Sequence, residues 1–89
     1  METSEARLKR MAMRSWRRGT KEMDLVLGPY ADAMLAGMTG AELDAYDSLL
    51  EEGDPDLLAW VMGQKMAPAV HQPLIKALSG FSADRLRKI

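Results

Sequence analysis

Glycines at positions 19, 37, 53, 63 and 80 cut the chain into stretches in which apolar residues return at three- and four-residue spacing. No stretch sustains two-residue alternation, and β-branched residues are few. The pattern predicts an all-α protein: a compact single-domain bundle of five short helices over residues 1–89. The first helix covers residues 4–17, with Thr3 or Ser4 as cap and Leu8, Met11, Ala12 and Ser15/Trp16 at helical spacing. Gly19 breaks it and Thr20 caps the second helix, residues 21–36. There Met23, Val26, Leu27, Tyr30 and Met34 share a face, and Pro29 predicts a kink near residues 25–29. Thr39-Gly40-Ala41-Glu42 has the residue types and spacing of a capping box, the best-marked helix start in the chain. Leu43, Tyr46, Leu49 and Leu50 line the helix that follows. Asp54-Pro55 reads as N-cap and first position of a fourth helix that Gly63 closes. Val70, Leu74, Ile75 and Leu78 predict a fifth from about residue 71 to 79, with Gly80 as its stop and residues 82–89 as a frayed tail.

Composition removes several function classes. The chain has no cysteine, so disulfides and thiolate metal sites are excluded. No apolar run approaches the roughly 20 residues that span a bilayer, and residues 1–10 are charged rather than apolar, unlike a secretory signal. A soluble, cytoplasmic protein without direct membrane insertion is expected. His71 is the only histidine, flanked by prolines in a loop or helix start, with no second histidine or cysteine to form a dyad. It reads as a surface or capping residue. The acidic pairs Asp44/Asp47, Glu51/Glu52 and Asp54/Asp56 read as caps or solvated helix faces. Gly37-Met38-Thr39-Gly40 lacks the spacing and preceding strand of a dinucleotide loop. The expectation is a protein without its own catalytic site, metal or tightly bound cofactor. The methionines read mainly as flexible core fillers.

Charge is segregated along the chain. Residues 1–21 hold seven bases (Arg7, Lys9, Arg10, Arg14, Arg17, Arg18, Lys21), residues 22–63 hold ten acids and neither Lys nor Arg, and residues 64–89 are again mainly basic. A dipolar molecule with a basic N-terminal helix is expected. The run from Arg17 to Asp24 puts bases before Gly19 and carboxylates after it, at the junction of two predicted helices. Glycine there lets the backbone turn and lets another surface approach. Trp16 stands among arginines, and tryptophan with arginine is a common pairing at binding hot spots. Physics alone reaches a small helical interaction domain with a basic N-terminal face: an antitoxin-like or adaptor module, or, less well supported, a DNA-binding protein, which the acidic middle disfavours.

The run Arg18-Gly19-x-x-Glu22-x-Asp24 resembles the signature of the succinate dehydrogenase assembly factors. Arg14-Ser15-Trp16, Leu25 to Gly28, and Leu49-Leu50-Glu51 followed by Asp54-Pro55-Asp56-Leu57 and Trp60 are similar to that family too. The resemblance covers residues 7–63; Met13 stands where many relatives carry an aromatic, and Arg17 where many carry histidine. It implies a five-helix assembly factor that binds the flavoprotein subunit of succinate dehydrogenase, and in some bacteria of fumarate reductase, and promotes covalent FAD attachment. FAD and the histidine it becomes bonded to belong to the partner; no nucleic acid is involved. The resemblance implies a docking surface of Arg18, Gly19, Glu22 and Asp24, with Arg14, Trp16 and Arg17 on its edge. Asp54-Pro55 is assigned to capping rather than binding.

Overall fold

Thr3 opens the first helix, α1 (Ser4–Trp16), its hydroxyl accepting from the Ala6 N–H at 3.0 Å. The computed structural model describes residues 2–87. Thr20 repeats the arrangement for α2 (Lys21–Met34), accepting from the Met23 N–H at 3.3 Å. This helix runs past Pro29 and tightens into a 3₁₀ turn at Leu35–Gly37. α3 (Gly40–Leu50) starts on a complete capping box: Thr39 accepts from the Glu42 N–H and the Glu42 carboxylate accepts from the Thr39 N–H. α4 (Asp54–Val61) and α5 (Gln72–Arg87) complete an all-α architecture with no strand among the described residues. Gly63 ends the α4 segment at φ 76, a left-handed conformation that favours glycine.

The core forms where the apolar faces meet. Met11, Met23, Leu27, Tyr46, Leu49, Leu50, Leu57 and Leu78 have essentially no exposure, which makes truncation of any of the leucines cost about 2–5 kcal/mol. Tyr46 crosses this core to Ser15, with 2.7 Å between the hydroxyls. Ser15 gives its single proton to the Met11 carbonyl at 2.8 Å, so Tyr46 is the donor to Ser15. Burial pushes the Tyr46 phenol up to about 12. Met11 and Met23 are core fillers as expected, whereas Met13, Met34, Met62 and Met66 are exposed.

Three local expectations are corrected. α5 passes through Gly80 and on to Arg87 instead of ending near residue 79. Phe81 packs edge-on against Tyr30, with ring centroids 5.4 Å apart, and this contact rewards the helix for continuing past the glycine. The expected frayed tail is therefore helical as far as Arg87, and its last two positions lie outside the described residues. Val70, placed on the apolar face of this helix by its spacing, precedes α5 and is exposed. His71 is buried rather than a surface residue: Nε2 sits 2.8 Å from a Glu52 carboxylate oxygen, the ring lies against Trp60, and Nδ1 has no hydrogen-bond partner.

The largest correction concerns charge. The basic face of α1 is not left free but is laid along the acidic α3. Arg7 bonds Asp44, Arg10 bonds Asp47 through two nitrogens, and Arg14 bonds Glu51, each pair 37 residues apart. A constant offset over two helical turns means that α1 and α3 run in the same direction and in register. The hydrogen bond from Arg10 holds Asp47 and Glu2 below the usual carboxylate range, and the same two carboxylates, Asp47 first, push the Arg10 guanidinium further up. The acids read as solvated faces are thus the partners of the N-terminal bases.

Candidate functional site

Residues 17–20 join α1 to α2, and carboxylates from α2 and α4 hold this loop. Asp24, in the first turn of α2, reaches back to accept the Arg18 backbone N–H at 2.6 Å. The Arg18 side chain turns inward. Its Nε donates to Asp54 Oδ1 at 2.8 Å, Nη1 to the Leu50 carbonyl at 2.8 Å and Nη2 to the Glu52 carbonyl at 2.7 Å. Arg14 also donates to the Leu50 carbonyl, at 3.1 Å. These carbonyls close α3, where the last turn has no intrahelical donors and the helix dipole favours cations. Arg18 and Asp54 side chains are only 9% and 10% exposed, so their ion pair is a buried one. The other Asp54 oxygen accepts the Thr20 backbone N–H at 3.1 Å.

Gly19 stands exposed in the middle of this loop. Its φ is outside the left-handed region, which among the described residues only Gly63 occupies. The turn itself therefore does not demand glycine; what bears on a side chain there is one tight contact. A Cβ at residue 19 would lie 3.3 Å from Asp54 Oδ2, the oxygen already bonded to Thr20.

Trp16 lies at the end of α1 with its indole over Gly28 of α2, so closely that a Cβ at residue 28 would overlap the ring. Its Nε1–H is shared between the two Asp32 carboxylate oxygens, each at 3.2 Å. The indole stays 40% exposed, a fixed aromatic with one face covered. A surface groove of about 720 Å³, which the indole does not line, is bounded by Arg10, Met13, Arg14, Arg17, Arg18, Gly19 and Asp54.

The seven residues singled out from sequence thus gather around one loop but split into two kinds. Arg18 and Asp24 are turned toward the protein and fix the loop, whereas Arg14 bonds Glu51 and the Leu50 carbonyl at the groove beside it. Arg17 and Glu22 are exposed and make no hydrogen bond or ion pair among the described residues, as does Lys21. Gly19 and Trp16 present surface of fixed shape. Sequence reasoning missed Asp54, read as a cap, along with Gly28 and Asp32. Gly53 occupies the N-cap position of α4, and Asp54 is its first residue, with Pro55 next. A signal for the tertiary pairing was present: arginines at 7, 10 and 14 repeat the spacing of acids at 44, 47 and 51.

These features define a small helical protein with a preformed polar loop suited to recognition. A family profile described as flavinator of succinate dehydrogenase matches residues 9–82. The chain is 36% identical over 93 residues to a mitochondrial succinate dehydrogenase assembly factor 2 of Candida glabrata, a match covering 99% of this chain and 61% of that protein. It is 38% identical over 72 residues to the FAD assembly factor SdhE of Aliivibrio fischeri, covering 80% of this chain and 84% of the relative. A third relative, the FAD assembly factor SdhE of Vibrio cholerae, is 47% identical over 47 residues, covering 53% of this chain and 55% of that protein. The chain belongs to the family of succinate dehydrogenase flavinators. No helix among the described residues is long and apolar enough to cross a membrane.

Proposed function

We propose that this protein is an assembly factor that binds the flavoprotein subunit of succinate dehydrogenase and promotes covalent attachment of its FAD. The observation that carries this reading is the family match over residues 9–82, which contains the whole loop and every side chain that holds it. Gly19, Glu22, Arg17 and Trp16 meet the partner, Arg14 borders that surface, and Arg18 and Asp24 keep the loop in shape. The factor has no catalytic site of its own. It favours the subunit conformation in which the flavin and its acceptor histidine are aligned, a gain in effective concentration rather than new chemistry. FAD stays with the partner. In support, three of the four arginines that border the groove, Arg10, Arg14 and Arg18, are already bonded to carboxylates or carbonyls, and only Arg17 is left to meet a pyrophosphate there. The same surface serves a fumarate reductase flavoprotein where one is present, and the work is done in the cytoplasm.

The test mixes the protein with flavoprotein subunit carrying non-covalent FAD and follows covalent flavin by in-gel fluorescence after denaturation. Acceleration by the wild type, abolished by Gly19→Arg in a folded variant, is the expected result. No acceleration and no complex with a competent subunit returns the protein to a generic helical adaptor.

A further inference from the structure

Asp54 lies 30 residues beyond the motif, on a different helix, yet it touches the loop at three places. It accepts from the Arg18 side chain at 2.8 Å and from the Thr20 backbone at 3.1 Å, and it sets the space beside Gly19. One carboxylate therefore connects the residue before the glycine to the residue after it. Asp24 accepts the backbone N–H of Arg18, the residue before the glycine. A loop whose two flanking N–H groups are both bonded to carboxylates has lost most of its freedom before any partner arrives, and loops fixed in advance give up less entropy on binding. The Arg18–Asp54 pair is also tied to the last turn of α3 through the Leu50 and Glu52 carbonyls. The loop shape is thereby coupled to the α3–α4 corner rather than to α1 and α2 alone.

We infer that Asp54 is a positioning residue of the docking loop, holding Arg18 and Thr20 so that Gly19 is presented to the flavoprotein in its bound shape. This inference rests on the partner reading given above. It assigns the charge at residue 18 to an internal clamp, and it leaves contact with the partner to Arg17, Gly19 and Glu22. A role confined to stability would act on the whole domain; a positioning role acts on the loop and on affinity at temperatures where the domain is fully folded.

The experiment compares Asp54→Ala, Asp54→Asn and Asp47→Asn in the full chain, well below each variant's melting temperature. Affinity for the FAD-loaded flavoprotein subunit is measured by titration calorimetry, and amide exchange of Thr20 is measured by NMR in the free protein. Asp54→Ala is expected to lose tenfold or more in affinity, and its Thr20 amide to exchange as in an unfolded peptide while α1 and α3 stay protected. Asp54→Asn, which keeps an acceptor for Thr20 but loses the charge for Arg18, should fall between it and the wild type; it carries the test if the alanine variant does not fold. Asp47→Asn, which breaks an ion pair of the same kind away from the loop, should bind as the wild type does. Wild-type affinity in folded Asp54→Ala overturns the inference, as does an equal loss in Asp47→Asn. If the wild type itself fails to bind, the partner reading fails, and the clamp is then judged by exchange alone: a protected Thr20 amide in Asp54→Ala overturns it.

Discussion

Two arginine–carboxylate pairs, Arg10–Asp47 from α1 and Arg18–Asp54 from the loop after it, reach the acidic half of the chain at nearly the same sequence offset, 37 and 36 residues. Their surroundings separate them. Arg10 and Asp47 side chains are 36% and 24% exposed, and Arg10 divides itself between Asp47 and Glu2. Arg18 and Asp54 are 9% and 10% exposed, and Nη1 and Nη2 of Arg18 each bond a main-chain carbonyl. Pairs in water are screened and contribute little, whereas removing one member of a buried pair strands the other charge. One chemistry thus supports two uses: the exposed pairs align α1 with α3, and the buried pair fixes the loop that carries Gly19.

The comparison is broken if the two pairs respond alike. The largest effect is expected for Asp54→Ala, a loss of about 3–5 kcal/mol in chemical denaturation, because Arg18 remains buried without its counter-charge. Next comes Gly28→Ala, at about 1–3 kcal/mol from overpacking, since the added methyl displaces the Trp16 indole from its seat on α2. In a Trp60→Phe background, tryptophan emission from that variant should shift toward that of a water-exposed indole; an unchanged spectrum would mean that the ring is not held there.

Asp47→Asn sharpens the contrast from the other side, with an expected loss of only about 0–1 kcal/mol. Its signature is pH. Arg10 lowers the folded-state pKa of Asp47, so the unfolded chain takes up the proton first as acid is added. The contribution of this pair is full above the ordinary carboxylate pKa, near 4, and is lost as pH falls through the lower folded value. Asp47→Asn should flatten the acid limb of the stability curve; an unaltered limb would remove the pair from the account. The smallest effect is reserved for Glu22→Gln. With no internal partner, Glu22 contributes to folding only through the α2 dipole, about 0.3–1 kcal/mol, so partner affinity should drop by more than stability does. Equal losses would make it structural instead.

The helices were legible because their signals are local. Thr3, Thr20 and the Thr39–Glu42 box cap the helices that their types and spacing predict. The end of α5 was not legible, since Gly80 is a stop only until Phe81 finds Tyr30 across the bundle. The candidate site was legible as a place but not as a division of labour. The motif and its neighbours do converge on one loop, yet no local rule says that Arg18 points inward and Arg17 outward. That choice depends on the Leu50 and Glu52 carbonyls and the Asp54 carboxylate, more than 30 residues away.

By itself the sequence determined the helical class, the threonine caps, most of the apolar faces and the break between the first two helices, because capping and periodicity act within a few residues of the chain. Only the tertiary structure decided which charges are partners and which are free. Alignment of α1 beside α3 turns two segregated charge blocks into a ladder, and burial at the α3–α4 corner turns one rung of it, Arg18–Asp54, into a clamp. The strength of an ion pair depends on what water can reach, and that is set by packing rather than by the order of residues.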